Sequence, residues 1–401
     1  VAEGGLLRRA LPSLVSVALA MAVCFGGLAL ARGDLGVAWD VLLQLFYGGI
    51  GDVPRLLEGG SAALVLRPLG ESAIRSSLLA LTGLSVAVAF RVGLFNIGGQ
   101  GQLMVGALAA AGVGAGLALP AALHLPLALL ASALAGALWA LGPAWLKLTR
   151  GVHEVISTIM LNWVALSLVE RWLVVGPLAA GGEGGVSRNG TAEVLESAQL
   201  PRLLGDASRL HLGVPLALLV LVATWVWLFR TAGGYEARAV GLSPEAARTA
   251  GLPVGRKVVQ GMGLAGALAG LAGGVLILGT ELRYPNTLGA PYGFDGIAIA
   301  LLGQSHPAGV GAAALFFGVL RAGGTRLQLV GVHRSFPELV QGLALLLVAA
   351  AWVWTRLLAR RKAAAAGGGP TGAGLPGLAG TVQLHDAAAA KAAAAGGAER
   401  A

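Results

Sequence analysis

Charge is what this sequence has least of. Of its 401 residues only 12 % are Asp, Glu, Lys or Arg, while 56 % are hydrophobic; an average soluble domain is about 25 % charged. Mean hydropathy is +0.78. So few charges cannot cover the surface of a soluble protein this size, which argues against a large globular enzyme. Cysteine is nearly absent as well. Cys24 stands alone in an apolar run, so there is no intramolecular disulfide framework. The six histidines are scattered, with no HExxH and no paired cysteines, so nothing supports a zinc site. Lysine occurs only as Lys147, Lys257, Lys362 and Lys391. None follows Gly or precedes Ser or Thr, which excludes a Walker A phosphate loop. A regular arginine series and a TVGYG filter are also missing, which removes the voltage-sensor and potassium-filter classes.

What is present is a series of long apolar runs. About 20 apolar residues cross a hydrocarbon core of about 30 Å, whereas barrel strands run about 10 residues with alternating polarity. The spacing predicts an all-α integral membrane protein with about 10 transmembrane helices, some short or broken. They fall at 11–31, 68–90, 97–119, 124–146, 153–175, 212–229, 258–280, 287–304, 307–321 and 336–356. The first run follows Arg8 and Arg9 and ends in an Ala-Leu-Ala that resembles a signal-peptidase site; it is long for a signal core and is expected to stay as the first helix. Trp39 to Tyr47 suits an interface. Pro285, Gly289, Pro291, Gly293, Gly296, Gly303 and Pro307 interrupt the last runs. Short or broken segments in a transporter usually line a pathway, because irregular backbone survives only where protein or water satisfies it.

Loop charge sets the expected topology. The net charge of +9 raises nucleic acid as a partner, but the positive residues gather in short loops, which favours a membrane and no nucleic acid. Arg8 and Arg9, Lys147 and Arg150, the loop 230–257 and the segment Arg356 to Lys362 are basic and are placed in the cytoplasm. Loops 32–67 and 176–211 each carry three Arg against four acids and are placed outside. Arg321, Arg326 and Arg334 break the rule, since ten helices put them outside too. Trp145, Trp172, Trp225, Trp227, Trp352 and Trp354 lie within five residues of a basic residue, as an interfacial belt would. Three regions result: 1–67, a first transmembrane helix and an extracytoplasmic segment; 68–356, a transmembrane core; and 357–401, an Ala/Gly-rich cytoplasmic tail expected to be disordered.

Four motifs stand out against this background. Gly241 to Pro253 is punctuated as a short helix: Ser243 as N-cap, Pro244 in the first turn, Glu245 at the positive end of the dipole, Gly251 as a left-handed stop. It either connects two spans or docks on a cytoplasmic partner. Gly93 to Gln102 sets Asn96, Gln100 and Gln102 among glycines such as Gly98 and Gly99. This is either a tight helix contact with bonded amides or an opened backbone that meets a solute. In His153 to Asn162, Glu154, Thr158 and Asn162 fall near one helix face; Asn162 is the better pathway residue, while packing readily explains Thr158. Gly289 to Gly296 contains Asp295, which needs a cap position or a charged partner. Gly266, Gly270 and Gly274 repeat every four residues, as close helix packing requires.

Taken in order, FNIGGQGQ (95–102), HEVISTIMLNW (153–163), GLSPEAARTAGL (241–252) and GFDGIAIALLG (293–303) resemble the permease subunits of bacterial nucleoside and simple-sugar ABC importers, within the branched-chain amino-acid/ribose permease family. Within that group the chain is similar to nucleoside permeases that work with a basic-membrane-lipoprotein type binding protein. Gln100 stands where the family often has Glu, and His153 where it often has Asn. Glu245, Ala246, Ala247 and Gly251 fit the EAA---G pattern by which such permeases engage their ATPase. The expected coupling residues are therefore Gly241, Ser243, Pro244, Glu245, Ala246, Ala247, Arg248 and Gly251. The expected pathway residues are Asn96, Gly98, Gly99, Gln100, Thr158, Asn162 and Asp295, whose neutral amides suit a neutral polar solute. The resemblance implies alternating access with no covalent chemistry, in the bacterial cytoplasmic membrane with both termini cytoplasmic. It implies two cytoplasmic ATPase subunits that bind ATP and Mg, so that this chain holds no cofactor. A second permease subunit, expected to be non-identical, and an extracytoplasmic lipoprotein binding protein complete the assembly. Nucleoside is the expected solute, with a ribose-like sugar or a branched-chain amino acid as alternatives. An ion-coupled transporter would instead need membrane-embedded acids, and only Glu154 and Asp295 are placed for that.

Overall fold

A computed structural model describes residues 4–175, 177–179, 190–205, 208–288, 291–333, 335–348 and 350. The regular elements among them are helices. α1 (Gly4–Arg32), α2 (Leu35–Gly49) and the single turn α3 (Val53–Leu57) lead into α4 (Ala63–Arg91). α5 (Gly99–Gly116), α6 (Ala121–Arg150) and α7 (Glu154–Leu166) follow, α7 running on into a π turn, Ser167–Leu173. After α8 (Gly213–Arg230) come two short helices, α9 (Ala232–Leu242) and α10 (Pro244–Thr249). α11 (Val254–Leu276) also ends in a π turn. α12 (Tyr292–Leu302), α13 (Pro307–Gly324) and α14 (Phe336–Val348) close the described chain. Residues 351–356 of the last expected span and the tail 357–401 lie outside the described residues, as do 180–189 of the loop before α8.

Six of these helices are long and apolar enough to cross a membrane: segments of α1, α4, α6, α8, α11 and α13, the last two counted with the turns that extend them. A helix lies at each of the ten expected spans, but the run 287–304 does not make a full one. α12 has 11 residues, about 16 Å at 1.5 Å per residue, or half a hydrocarbon core. Residues 284–288 before it are not helical, and its first turn already lies inside the bundle.

α4 and α11 form the centre. Most of each is buried, whereas α1, α6 and α8 bury only their inner faces. Ser76, Ser77 and Thr82 of α4 are buried, and each hydroxyl donates to a carbonyl three or four residues back in the same helix. That internal bond is what lets hydroxyls sit in an apolar core. α11 meets α6 through Gly266 and Gly270, which lie backbone to backbone against Gly136 and Ser132. A Cβ at Gly270 would collide with the Ser132 carbonyl oxygen, so the four-residue glycine repeat is a contact stripe. The 39–47 stretch belongs to α2, which buries Val41 and Leu45, leaves Trp39 exposed, and rests Gly48 and Gly49 on Gly323 and Val319 of α13.

The bundle has two distinct ends. At one, α4 finishes at Arg91, α6 at Lys147 and Arg150, and α8 at Arg230, and α9 and α10 lie beside them. At the other, Arg32 donates to the Gly331 carbonyl (2.9 Å), and the segment 191–200 pairs with 278–284 through Thr191, Val194 and Leu200.

Candidate functional site

The chain reverses after α4 and α5 starts deep in the bundle. Asn96 Nδ2 lies 3.4 Å from Ser85 Oγ, six residues before α4 ends, so the helix start is set back about 9 Å from that end. The N-cap of α5 is Gly98, which has no side chain to offer the unpaired amides. Neighbours supply the acceptors instead. Asn96 Oδ1 accepts from Gly98 N (3.0 Å), and Asn162 Oδ1, reaching over from α7, accepts from Gly101 N (2.8 Å). Asn162 Nδ2 donates to the Ile97 carbonyl (2.8 Å). Asn96 and Gln102 exchange amide bonds of 2.9 and 3.0 Å. Thr158 is fully buried against Gly98, its hydroxyl donating to the Val155 carbonyl (3.2 Å).

α12 begins at the same place. Its N-cap, Pro291, offers no side-chain bond, and Gln100 Oε1 accepts from Gly293 N (2.8 Å). A Cβ at Gly293 would overlap the Gln100 backbone, and Gly99 faces the Gly293 carbonyl. Two helix N-termini, each the positive end of a helix dipole, therefore meet here, and neutral amide oxygens cap them. Asn96, Gly98, Gly99, Gln100, Thr158 and Asn162 form one cluster, and its amides bond to the protein itself.

Asp295 sits slightly apart, in the first turn of α12. Its Oδ2 lies 2.6 Å from Arg321 Nη1, and its Oδ1 accepts from Gln341 Nε2 (3.3 Å). It therefore has a charged partner and does not act as a cap. Arg321 needs the matching correction: it is no loop charge but a residue of α13 whose side chain is only 9 % exposed. Its breach of the loop-charge pattern was the one signal in the sequence that could have paired it with Asp295. Glu170, in the π turn after α7, is a second anchor. Buried, it accepts from Leu288 N (2.8 Å) and fixes the approach to α12.

The basic end carries the other motif. Ser243 Oγ accepts from Ala246 N (3.3 Å), Pro244 opens α10, and Gly251 follows at φ +80°, as the punctuation predicts. Ala247 is buried, while Glu245, Ala246 and Arg248 are exposed. The segment is tied to the bundle three times. Glu236 of α9 pairs with Lys257 of α11 (2.6 Å), and Arg238 stacks over Phe229 of α8. Gly241 lies on the Arg91 carbonyl and the Gly93 backbone, where a Cβ would collide. Arg91 Nε donates to the Ser305 carbonyl (2.8 Å), just past the end of α12. Residues 91–93 thus touch the short-helix segment and the end of α12, and they lead directly into the start of α5. Tyr235 and Leu242, each 64 % exposed, widen the apolar part of this surface. Leu242, an apolar residue just before an N-cap in a basic loop, was the available signal for them.

Among the described residues, no three His, Cys, Asp or Glu side chains group as metal ligands. His211, in the loop before α8, is fully buried, and Gly213 N donates to its Nδ1 (3.1 Å). Burial lowers its pKa from 6.5 to about 4, and Glu71 opposes this shift.

A bundle of apolar helices with two short helices at its basic end and paired helix starts within is consistent with a multi-span membrane permease. The family profile described as branched-chain amino acid transport system / permease component matches residues 69–350, and the chain belongs to that family. It is a multi-span membrane protein and the permease component of an ABC transporter, not an enzyme. It is 40 % identical over 301 residues to the guanosine ABC transporter permease NupP of Bacillus subtilis, covering 73 % of this chain and 84 % of the relative. It is 37 % identical to a glucose ABC transporter permease of Haloferax volcanii, over 72 % of this chain and 77 % of the relative. The nucleoside ABC transporter permease NupB of Lactococcus lactis is 31 % identical, over 74 % of this chain and 83 % of the relative. No solved structure matches the chain.

Proposed function

We propose that this permease carries nucleosides into the cell by alternating access, driven by separate ATPase subunits. Likeness to the guanosine and nucleoside permeases supports the solute; likeness to a glucose permease makes a sugar the second reading. The observation that carries the coupling is the backbone contact of Gly241 with Arg91 and Gly93. A push on α10 reaches residues 91–93, and from there both the start of α5 and the end of α12.

In this reading α10 and its flanks, Gly241, Ser243, Pro244, Glu245, Ala246, Ala247, Arg248 and Gly251, form the contact with a cytoplasmic ATPase that binds ATP and Mg. Asn96, Gly98, Gly99, Gln100, Thr158 and Asn162 border the pathway, their amides holding the two helix starts that shift between inward and outward states. Asp295 faces the pathway one turn into α12. A second, non-identical permease chain and an extracytoplasmic lipoprotein binding protein complete the importer. The basic end faces the cytoplasm of a bacterial cell, with both termini on that side, and residues 68–356 form the membrane core.

Uptake of labelled guanosine, uridine and ribose in cells lacking this gene, against wild type, tests the reading. Loss of nucleoside uptake, restored by the wild-type gene, is the expected result. Loss of ribose uptake alone moves the solute to sugars, and unchanged uptake of all three contradicts the assignment.

A further inference from the structure

A cleft of about 280 Å³ opens between α12, α13 and α14, close to the lower bound of small-molecule sites, about 300 Å³. Its wall is apolar at Pro291, Ala298 and Leu345, and Phe294, 45 % exposed, stands on its lip. Arg321 and Gln341 also line it, the Arg321 side chain 9 % exposed and Gln341 buried. Arg321 Nε and Gln341 Oε1 are sealed from water and have no hydrogen-bond partner. A buried donor and acceptor left unmade are costly, and native proteins keep few of them. Here one donor and two acceptors lie behind a single cleft, next to an aromatic face, the second acceptor being Asp295 Oδ2, which has only its ion pair with Arg321.

We infer that this cleft is a recognition site for an uncharged nucleoside, with the base on Phe294 and its polar edge bonded to the Arg321 and Gln341 side chains that line it. The inference rests on the nucleoside reading above. Aromatic side chains stack on any base, and a base edge offers both an acceptor and a donor. Charge decides against phosphorylated forms. Arg321 is already matched by Asp295 at 2.6 Å, and Glu338 adds a further negative charge to the lining. Among the residues that line the cleft, no positive charge is left for a phosphate.

The test is equilibrium binding of tritiated guanosine to the purified permease complex without its binding protein, with guanosine monophosphate as competitor. Uptake by cells making the same proteins is measured alongside. Saturable guanosine binding that the monophosphate does not displace is expected. Gln341→Leu and Phe294→Ala should each weaken it about tenfold or more, as loss of one buried polar or stacking contact implies. If Gln341→Leu fails to assemble, Phe294→Ala, an exposed change, decides alone. Unweakened binding in the variants, displacement by the monophosphate, or no binding while wild-type cells take up guanosine overturns the cleft and leaves the nucleoside reading standing. No guanosine uptake by wild-type cells overturns both.

Discussion

The paired helix starts and the short-helix segment at the basic end are both rich in Gly and polar residues, but they use them in opposite ways. At the helix starts, the polar side chains face inward and three of them bond to backbone that would otherwise be unpaired: Asn96 to Gly98, Asn162 to Gly101 and Ile97, Gln100 to Gly293. At the basic end, the caps are local and the charges of Glu245 and Arg248 point outward. A polar residue in a membrane protein can therefore serve the scaffold or the partner, and burial with its bonding pattern separates the two. Variants in the first region should cost stability, and variants in the second should cost transport.

The largest effect is expected where the regions touch. Gly241→Val would drive a side chain into the Arg91 carbonyl, and both neighbours are backbone and cannot rotate away. Overpacking of this kind costs about 1–3 kcal/mol or more. Thermal unfolding of the purified protein should drop and uptake should vanish; wild-type values for both would break the proposed link. Asn162→Ala comes next. It leaves the buried Gly101 N–H unpaired, at about 1–3 kcal/mol, and takes the donor from the part-buried Ile97 carbonyl. A lower unfolding temperature is predicted, and an unchanged one would show that the amide is not scaffold.

Ser243→Ala is smaller. It removes the cap on Ala246 N, worth about 1 kcal/mol, and hydrogen exchange at that amide should quicken while global unfolding stays nearly constant. The smallest effect concerns pH. His211 is held neutral, with its pKa lowered by burial to about 4. The unfolded chain takes up a proton below about 6.5, so the folded form loses relative stability as pH falls from there towards 4. His211→Gln should flatten thermal stability between pH 7 and pH 5; an unchanged slope would remove His211 as its source.

The ten helix positions and the punctuation of α10 were legible because they rest on local rules: apolar run length, loop charge, and the Ser-Pro-Glu then Gly order at 243–251. The half-length of α12 was not, because Ile297 to Leu302 is as apolar as a full span, and only packing on Gly99 and Thr82 shows where it starts. The amide cluster was legible as composition but not as bonding. Asn162 and Gly101 are 61 residues apart, and no periodicity predicts which backbone group an amide will meet. Arg321 with Asp295 was hidden for the same reason, although its place against the loop-charge pattern marked it as unusual.

The most direct test is ATP-dependent guanosine uptake into proteoliposomes holding the assembled transporter and its binding protein, comparing wild type with Glu245→Lys. Glu245 is exposed, so the change should cost no more than about 1–2 kcal/mol, the reversal of its interaction with the α10 dipole. The account predicts that uptake is lost while the protein remains folded. Wild-type uptake by Glu245→Lys would contradict it, because transport would then not pass through α10.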